Sequence, residues 1–261
     1  MTRISSKGFV LASFPYRDRD RMLHILTPDY GLISASARGA CSVKSKLRPL
    51  SNLFSLCNFD FFYQRERFYV DDGELIEAFL PLSESIEHLT AASHAAEVFK
   101  DLTRNSPPDS KYFDLWAYTA YEISQSESPV LISRLSTLRL LAEAGYAPHL
   151  DSCCICQRPV RGEADFSFRL SGILCGRRDC SGNASEDSIR LSEGTLALLR
   201  HILTANLNRL YRFTVADDVV ANASRFLDLY LNEKMEKTYK KLDLLADPFD
   251  IDLSGLQRKC D

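Results

Sequence analysis

Residues 153–180 read CCICQRPVRGEADFSFRLSGILCGRRDC. Two residues separate Cys153 from Cys156, four separate Cys175 from Cys180, and eighteen lie between the pairs. Two close thiol pairs with such a gap can bring four thiolates to one tetrahedral metal centre, most simply zinc. Pro159, Gly162 and Gly172 supply turns for a short hairpin between the pairs. Four thiolates leave no coordination position for water, so the expected zinc is structural rather than catalytic. A redox dithiol would open a helix after a strand; here Pro159 and polar residues follow instead. Cys154 is expected to point away from the site, and His149 to be a loop histidine rather than a ligand.

The segments on either side differ in period. Upstream, Gly8–Phe14, Met22–Thr27, Leu32–Ala37, Leu53–Tyr63 and Arg67–Val70 are five strand-like runs. Glu74–Phe79 continues the fifth after an expected turn at Asp71-Asp72-Gly73. Five strands in the first eighty residues fit a small closed barrel better than a sandwich. Between the third and fourth, Arg38 to Leu50 has no clean period and is expected to be a long mobile loop. From Ser83 the period becomes helical. Ile86, Leu89, Ser93, Ala96 and Phe99 are expected on the buried face of a first helix. Phe113, Trp116, Ala120 and Ile123 mark a second, and Leu131, Leu135, Leu138 and Leu141 a third, opened by Ser128-Pro129 and ended by Gly145. Beyond the cysteines, Ser192 caps a fourth helix, and Asp217 or Asp218 a last one ending near Lys241. The expected class is α+β: a β domain over 1–80, then a helical domain over 81–245 with a zinc finger embedded at 150–182. A loosely ordered tail over 246–261 follows.

Composition narrows the function. The apolar, aromatic and charged fractions are 45%, 10% and 26%, ordinary for a water-soluble globular chain. The apolar runs are too short to span a bilayer, and Met1–Gly8 lacks the apolar core of a signal peptide. Eight cysteines then suggest bound and free thiols in a reducing cytoplasm, with Cys41, Cys57 and Cys260 as free thiols. The net charge of −3 conceals an asymmetry. Residues 1–67 carry eleven lysines and arginines against five acids, a net of +6, so the remainder carries −9. A basic head on an acidic body suggests a polyanionic partner.

Enzymatic motifs are missing: no phosphate-binding Gly-rich loop, no G-x-G-x-x-G, and no H-E-x-x-H. No acidic cluster recommends metal-dependent cleavage of nucleic acid. His88 and His94 are six apart on one helix and are expected as surface or core residues. The nucleic-acid pattern is stronger. Arg38, Lys44, Lys46 and Arg48 alternate with small residues that let cations follow a phosphate backbone. Arg21, Arg65 and Arg67 are further candidates. Phe62, Tyr63, Phe68 and Tyr69 lie beside the last two, where bases could stack, although strand alternation assigns half of such aromatics to the barrel core. The competing class is a zinc-stabilised RNA-binding or protein-adaptor module.

The ordered motifs resemble one family, the bacterial recombination mediator and DNA repair protein RecO. Asp20-Arg21, Leu26-Thr27 and Tyr30-Gly31 resemble its early strand and turn. Ala37-Arg38-Gly39-Ala40 and Lys44-Ser45-Lys46-Leu47 resemble its basic loop. Leu141-x3-Gly145-Tyr146-Ala147-Pro148-x-Leu150-Asp151-x-Cys153-x2-Cys156 resembles the approach to its zinc finger, Gly172-Ile173-Leu174-Cys175 the second half, and Leu191-Ser192-x5-Leu198-Leu199 the next helix. The resemblance covers nearly the whole chain. It implies an N-terminal OB-fold, a helical domain with a structural zinc site, and no enzymatic activity. It also implies binding of single- and double-stranded DNA, strand annealing, and partnership with RecR and single-strand-binding protein in loading recombinase through the RecF pathway. A cytoplasmic, nucleoid-associated protein is the corresponding location. The chain departs from the usual pattern in spacing Cys175 and Cys180 by four residues instead of two, and in placing Arg48-Pro49 where glycine is expected.

Overall fold

The computed structural model describes residues 2–181 and 188–245. The tail at 246–261, with Cys260, and the last residue of the expected finger lie outside the described residues. Five strands come first: β1 (Thr2–Tyr16), β2 (Asp20–Thr27), β3 (Gly31–Ala37), β4 (Leu56–Gln64) and β5 (Arg67–Glu77). They close into a barrel in the order β1-β2-β3-β5-β4, with β3 parallel to β5 and the other pairs antiparallel. This is the Greek-key closure of an OB-fold. β1 serves two neighbours. Thr2–Phe9 pairs with β4, and Phe9–Tyr16 pairs with β2 after an irregularity between Val10 and Ala12. Alternation sends Leu23, Ile25, Ile33, Ala35, Phe59 and Phe61 into the interior, where Val10 joins them.

Asp71-Asp72-Gly73 does not turn; β5 is continuous through it. Asp71 is the extra residue of a bulge, since Phe61 faces Val70 and Asp60 faces Asp72. Gly73 is small for a different reason: a Cβ there would lie 2.6 Å from the Asn58 carbonyl oxygen and 3.1 Å from Leu50. The fourth strand starts at Leu56 rather than Leu53. Residues 38–50 form a series of hydrogen-bonded turns, Ser42 N to Gly39 O, Ser45 N to Ser42 O and Arg48 N to Ser45 O. These lead into one helical turn, α1 (Leu47–Leu50), whose Leu50 is buried against the barrel core. The loop expected to be mobile is tied to the β1–β2 turn by Gly39 N to Asp20 Oδ1 (2.8 Å) and Cys41 N to Arg19 O (3.0 Å).

The helical part contains α2 (Ile86–Thr103), α3 (Ser110–Gln125) and α4 (Pro129–Glu143) before the cysteines. After β6 (Ala164–Ser167), β7 (Gly172–Leu174), α5 (Arg178–Ser181) and β8 (Ser188–Leu191) come α6 (Glu193–Thr204) and α7 (Asp217–Met235). α4 is the central helix, with buried residues on every side, among them Leu131, Ile132, Leu135, Leu138, Leu140 and Leu141. α2 meets it through Ala91, Ala92, Ala95 and Ala96, whose small side chains allow close approach. Ile86, expected on that buried face, is 74% exposed because the first turn of α2 projects beyond the contact. Ser85, Asp109 and Ser192 cap α2, α3 and α6 with side-chain oxygens. Ala216, not Asp217 or Asp218, is the N-cap of α7, and both aspartates occupy its first turn, favourable for the helix dipole. That helix ends at Met235, where Glu236 turns left-handed (φ 49°). The chain then folds back on α2: Lys237 bridges Glu97 and Asp101, and Lys241 reaches Glu97.

Barrel and helices share an aromatic junction. Phe9, next to Val10 on β1, faces away from the barrel interior and packs against Phe113 and Trp116, and Phe99 completes the contact with Trp116 at 5.2 Å. No described helix is long and apolar enough to cross a membrane.

Candidate metal centre and nucleic-acid interface

The thiol sulfurs of Cys153, Cys156, Cys175 and Cys180 all lie within 4.8 Å of one another. A metal–sulfur bond of about 2.3 Å in a tetrahedron places sulfurs about 3.8 Å apart; Cys156 and Cys175 are 3.6 Å apart. The set therefore fits one tetrahedral metal ion. Each pair sits on a tight turn. Gln157 N donates to Cys153 O at 2.9 Å with Gln157 left-handed (φ 57°), which turns Cys156 back towards Cys153. In the second pair the two extra residues are absorbed by the helical turn of α5. Arg177 N donates to Cys175 O and Cys180 N to Arg177 O, bringing Cys180 back beside Cys175. Between the pairs, β6 and β7 form the hairpin, and β8 adds the third strand of this sheet from beyond residue 182.

The thiols are unequal. Burial opposes ionisation at Cys153, but backbone N–H groups of Cys156, Cys175 and Ile155 converge on it and hold its pKa down at about 6. Burial and the neighbouring sulfurs push Cys180 up to about 12. A cation held by these four thiols would offset that penalty and displace the remaining protons. Cys154 is outside the cluster, its sulfur against Gly172, and its N–H donates to Ile173 O at 2.9 Å. His149 also stays outside it, with Nε2 2.7 Å from Ser152 Oγ. Cys41 and Cys57 are free thiols, the first exposed and the second buried with its pKa pushed up to about 12 by burial.

The basic residues divide into two groups. Arg38 and Arg67 meet on the outer face of the barrel, where a groove of about 310 Å³ crosses β2, β3 and β5. Tyr16, Arg17, Met22, Ser36 and Tyr69 also line it. The Arg38 guanidinium lies 4.8 Å from the centre of the Tyr69 ring, and Arg17 lies 5.2 Å from that of Tyr16. Glu66 is the groove's one acid among the described residues. Lys44, Lys46, Arg48 and Arg65 are exposed but do not line this groove. Arg65 is in the two-residue β4–β5 turn, left-handed at both Arg65 (φ 51°) and Glu66 (φ 59°). Arg21 is occupied within the barrel, its Nε donating to Ser13 Oγ at 2.8 Å.

Alternation sorts the four aromatics. Phe68 packs on the barrel core, with Tyr63 against it at 4.8 Å. Phe62 points outward beneath Arg3, whose charge is taken by Asp71. Tyr69 opens into the groove. Sequence reasoning missed Tyr16 and Arg17; the signal available was the charged run Arg17-Asp18-Arg19 between two apolar runs, with no glycine to mark it as a turn.

Comparison with known proteins spans the residues of both features. The family model described as "Recombination protein O N terminal" matches residues 1–79, and "Recombination protein O C terminal" matches 83–243. The chain belongs to the recombination protein O family. Among its relatives, "DNA repair protein RecO" of Acetivibrio thermocellus is 30% identical over 246 residues, spanning 94% of this chain and 97% of the relative. That of Clostridium acetobutylicum is 27% identical over 246 residues, 94% and 98% of the two chains. That of Listeria welshimeri is 27% identical over 241 residues, 92% and 93%. Membership of the recombination protein O family gives the chain a role in DNA repair and recombination.

Proposed function

We propose that this chain binds single-stranded DNA in the groove across β2, β3 and β5 and promotes annealing of complementary strands, without catalysing a bond change. The observation that carries this reading is the convergence of Arg17, Arg38 and Arg67 with Tyr16 and Tyr69 on one barrel face. The groove lies between the β1–β2 and β4–β5 turns, on the face with which OB-folds take oligonucleotides. Arginines answer the phosphates while tyrosine rings offer stacking platforms to bases of any identity. Lys44, Lys46, Arg48 and Arg65 serve as outer contacts to flanking phosphates and to duplex DNA. Arg21 braces the barrel. The four cysteines hold zinc, which fixes the finger and takes no part in chemistry. RecR and single-strand-binding protein are the partners that family membership favours, in loading recombinase at gaps in the RecF pathway. The location is the cytoplasm, at the nucleoid.

The salt dependence of binding tests the groove. Replacing Arg17, Arg38 and Arg67 together by alanine is expected to flatten the slope of log K against log salt by about 2, at about 0.7 for each single-strand phosphate left without a cation. A Lys44, Lys46 and Arg48 triple variant is expected to lose less. A groove variant with the wild-type slope and affinity overturns the assignment.

A further inference from the structure

The outer face of the barrel continues beyond the groove towards the helices. The groove floor includes Met22 of β2 and Ser36 of β3, which are register partners. The next pair on the same face of the ladder is His24 and Ser34, of which Ser34 also lines the groove and His24 lies beyond it. From β1, Phe14 stands edge-on to the His24 ring at 5.3 Å and leaves an aromatic surface 41% exposed. Beyond it, the far end of this face meets the helical domain. Pro108, in the loop after α2, lies 3.4 Å from where a Cβ on Gly31 would sit, so that loop rests on the β2–β3 turn.

The last turns of α2 therefore flank the same face, and they bring Lys100 and Arg104, one helical turn apart. Both act on His24: burial, aided by the charges of Lys100 and Arg104, lowers its pKa. Neither cation makes an ion pair among the described residues. The nearby acids Glu97 and Asp101 are engaged by Lys237 and Lys241 and do not neutralise them. Two unpaired cations at the end of an aromatic-floored path are what a departing phosphate backbone requires.

We propose that the single-strand path runs from the groove down the outer face of β1, β2 and β3 onto α2, where Lys100 and Arg104 bind phosphates and Phe14 supplies a stacking ring. This rests on the groove as the binding site and extends its footprint into the helical domain. The test is binding of two oligothymidines, about 4 and about 16 nucleotides long, by the full chain and by a Lys100→Gln, Arg104→Gln double variant. The long strand is expected to bind the variant roughly tenfold more weakly, with a salt slope lower by about 1.4, while the short strand binds both proteins alike. The charge-preserving Lys100→Arg, Arg104→Lys variant is expected to keep wild-type affinity. Unchanged affinity and slope for the long strand overturn the extension while leaving the groove standing. Equal weakening for both strands also overturns it, because the loss then does not depend on length. Wild-type protein that binds neither strand defeats the groove itself, and the extension with it.

Discussion

His94 is buried between α2 and α4, with Nδ1 3.0 Å from Ser133 Oγ, which in turn donates to Ala91 O. Burial, with a contribution from Arg134, lowers its pKa from 6.5 to about 4. The unfolded chain therefore takes up a proton more readily than the folded one over that interval. Stability is complete above about pH 6.5 and is lost as pH falls towards 4. From this residue, acidification from pH 8 to 5 costs about 2 kcal/mol. A His94→Gln variant should show a shallower loss of melting temperature over that range; a loss as steep as the wild type's would remove His94 as the cause. Residues of this kind are only half legible in sequence. His94 can be assigned to a helix, but not to a serine contributed by α4. Phe62, Tyr63, Phe68 and Tyr69 are visible as a group, yet which of them face the barrel core depends on the β4–β5 pairing, which sets Phe62 opposite Tyr69 and Tyr63 opposite Phe68.

Among the elements, the finger shows how local spacing and tertiary packing divide the work. The pairs of cysteines are plain in the sequence because a metal site demands them at short range. The third strand of the sheet, β8, is not, because it pairs with β6 across more than twenty residues. Nor is the four-residue spacing of Cys175 and Cys180 intelligible until α5 folds it back. Gly172 is the element's tightest point. A Cβ there would meet the Cys154 sulfur and lie 2.9 Å from both Cβ and the carbonyl oxygen of His149. Gly172→Ala is expected to destabilise the chain by about 1–3 kcal/mol and to lower bound zinc below one equivalent in reduced protein. Gly176→Ala, where a Cβ would meet nothing within 4 Å, should leave both unchanged. Full zinc and an unaltered melting point in the Gly172 variant would contradict this view of the hairpin. The helix boundaries follow their caps except at α7, whose end is set by a left-handed Glu236 and by the fold-back of Lys237 and Lys241 onto α2.

For the whole molecule, the cysteine cluster and the cationic face are separate features. The four cysteines cluster within the helical part, while the arginines gather on a barrel that is joined to it through Phe9, Phe113, Trp116 and Phe99. At that junction the middle of β1, from Gly8 to Leu11, is buried, with Val10 in the barrel interior and Phe9 against the helices. The basic bias of the first 67 residues is apparent from counting; the convergence of Arg17, Arg38 and Arg67 is not, because it depends on β3 lying parallel to β5. The groove's role is tested most sharply by the rate at which complementary single strands anneal without nucleotide, bare or coated with single-strand-binding protein. Acceleration by the wild-type chain is expected in both cases, and its loss in the Arg17, Arg38 and Arg67 alanine variant. Annealing by that variant at the wild-type rate would contradict a strand held in the groove.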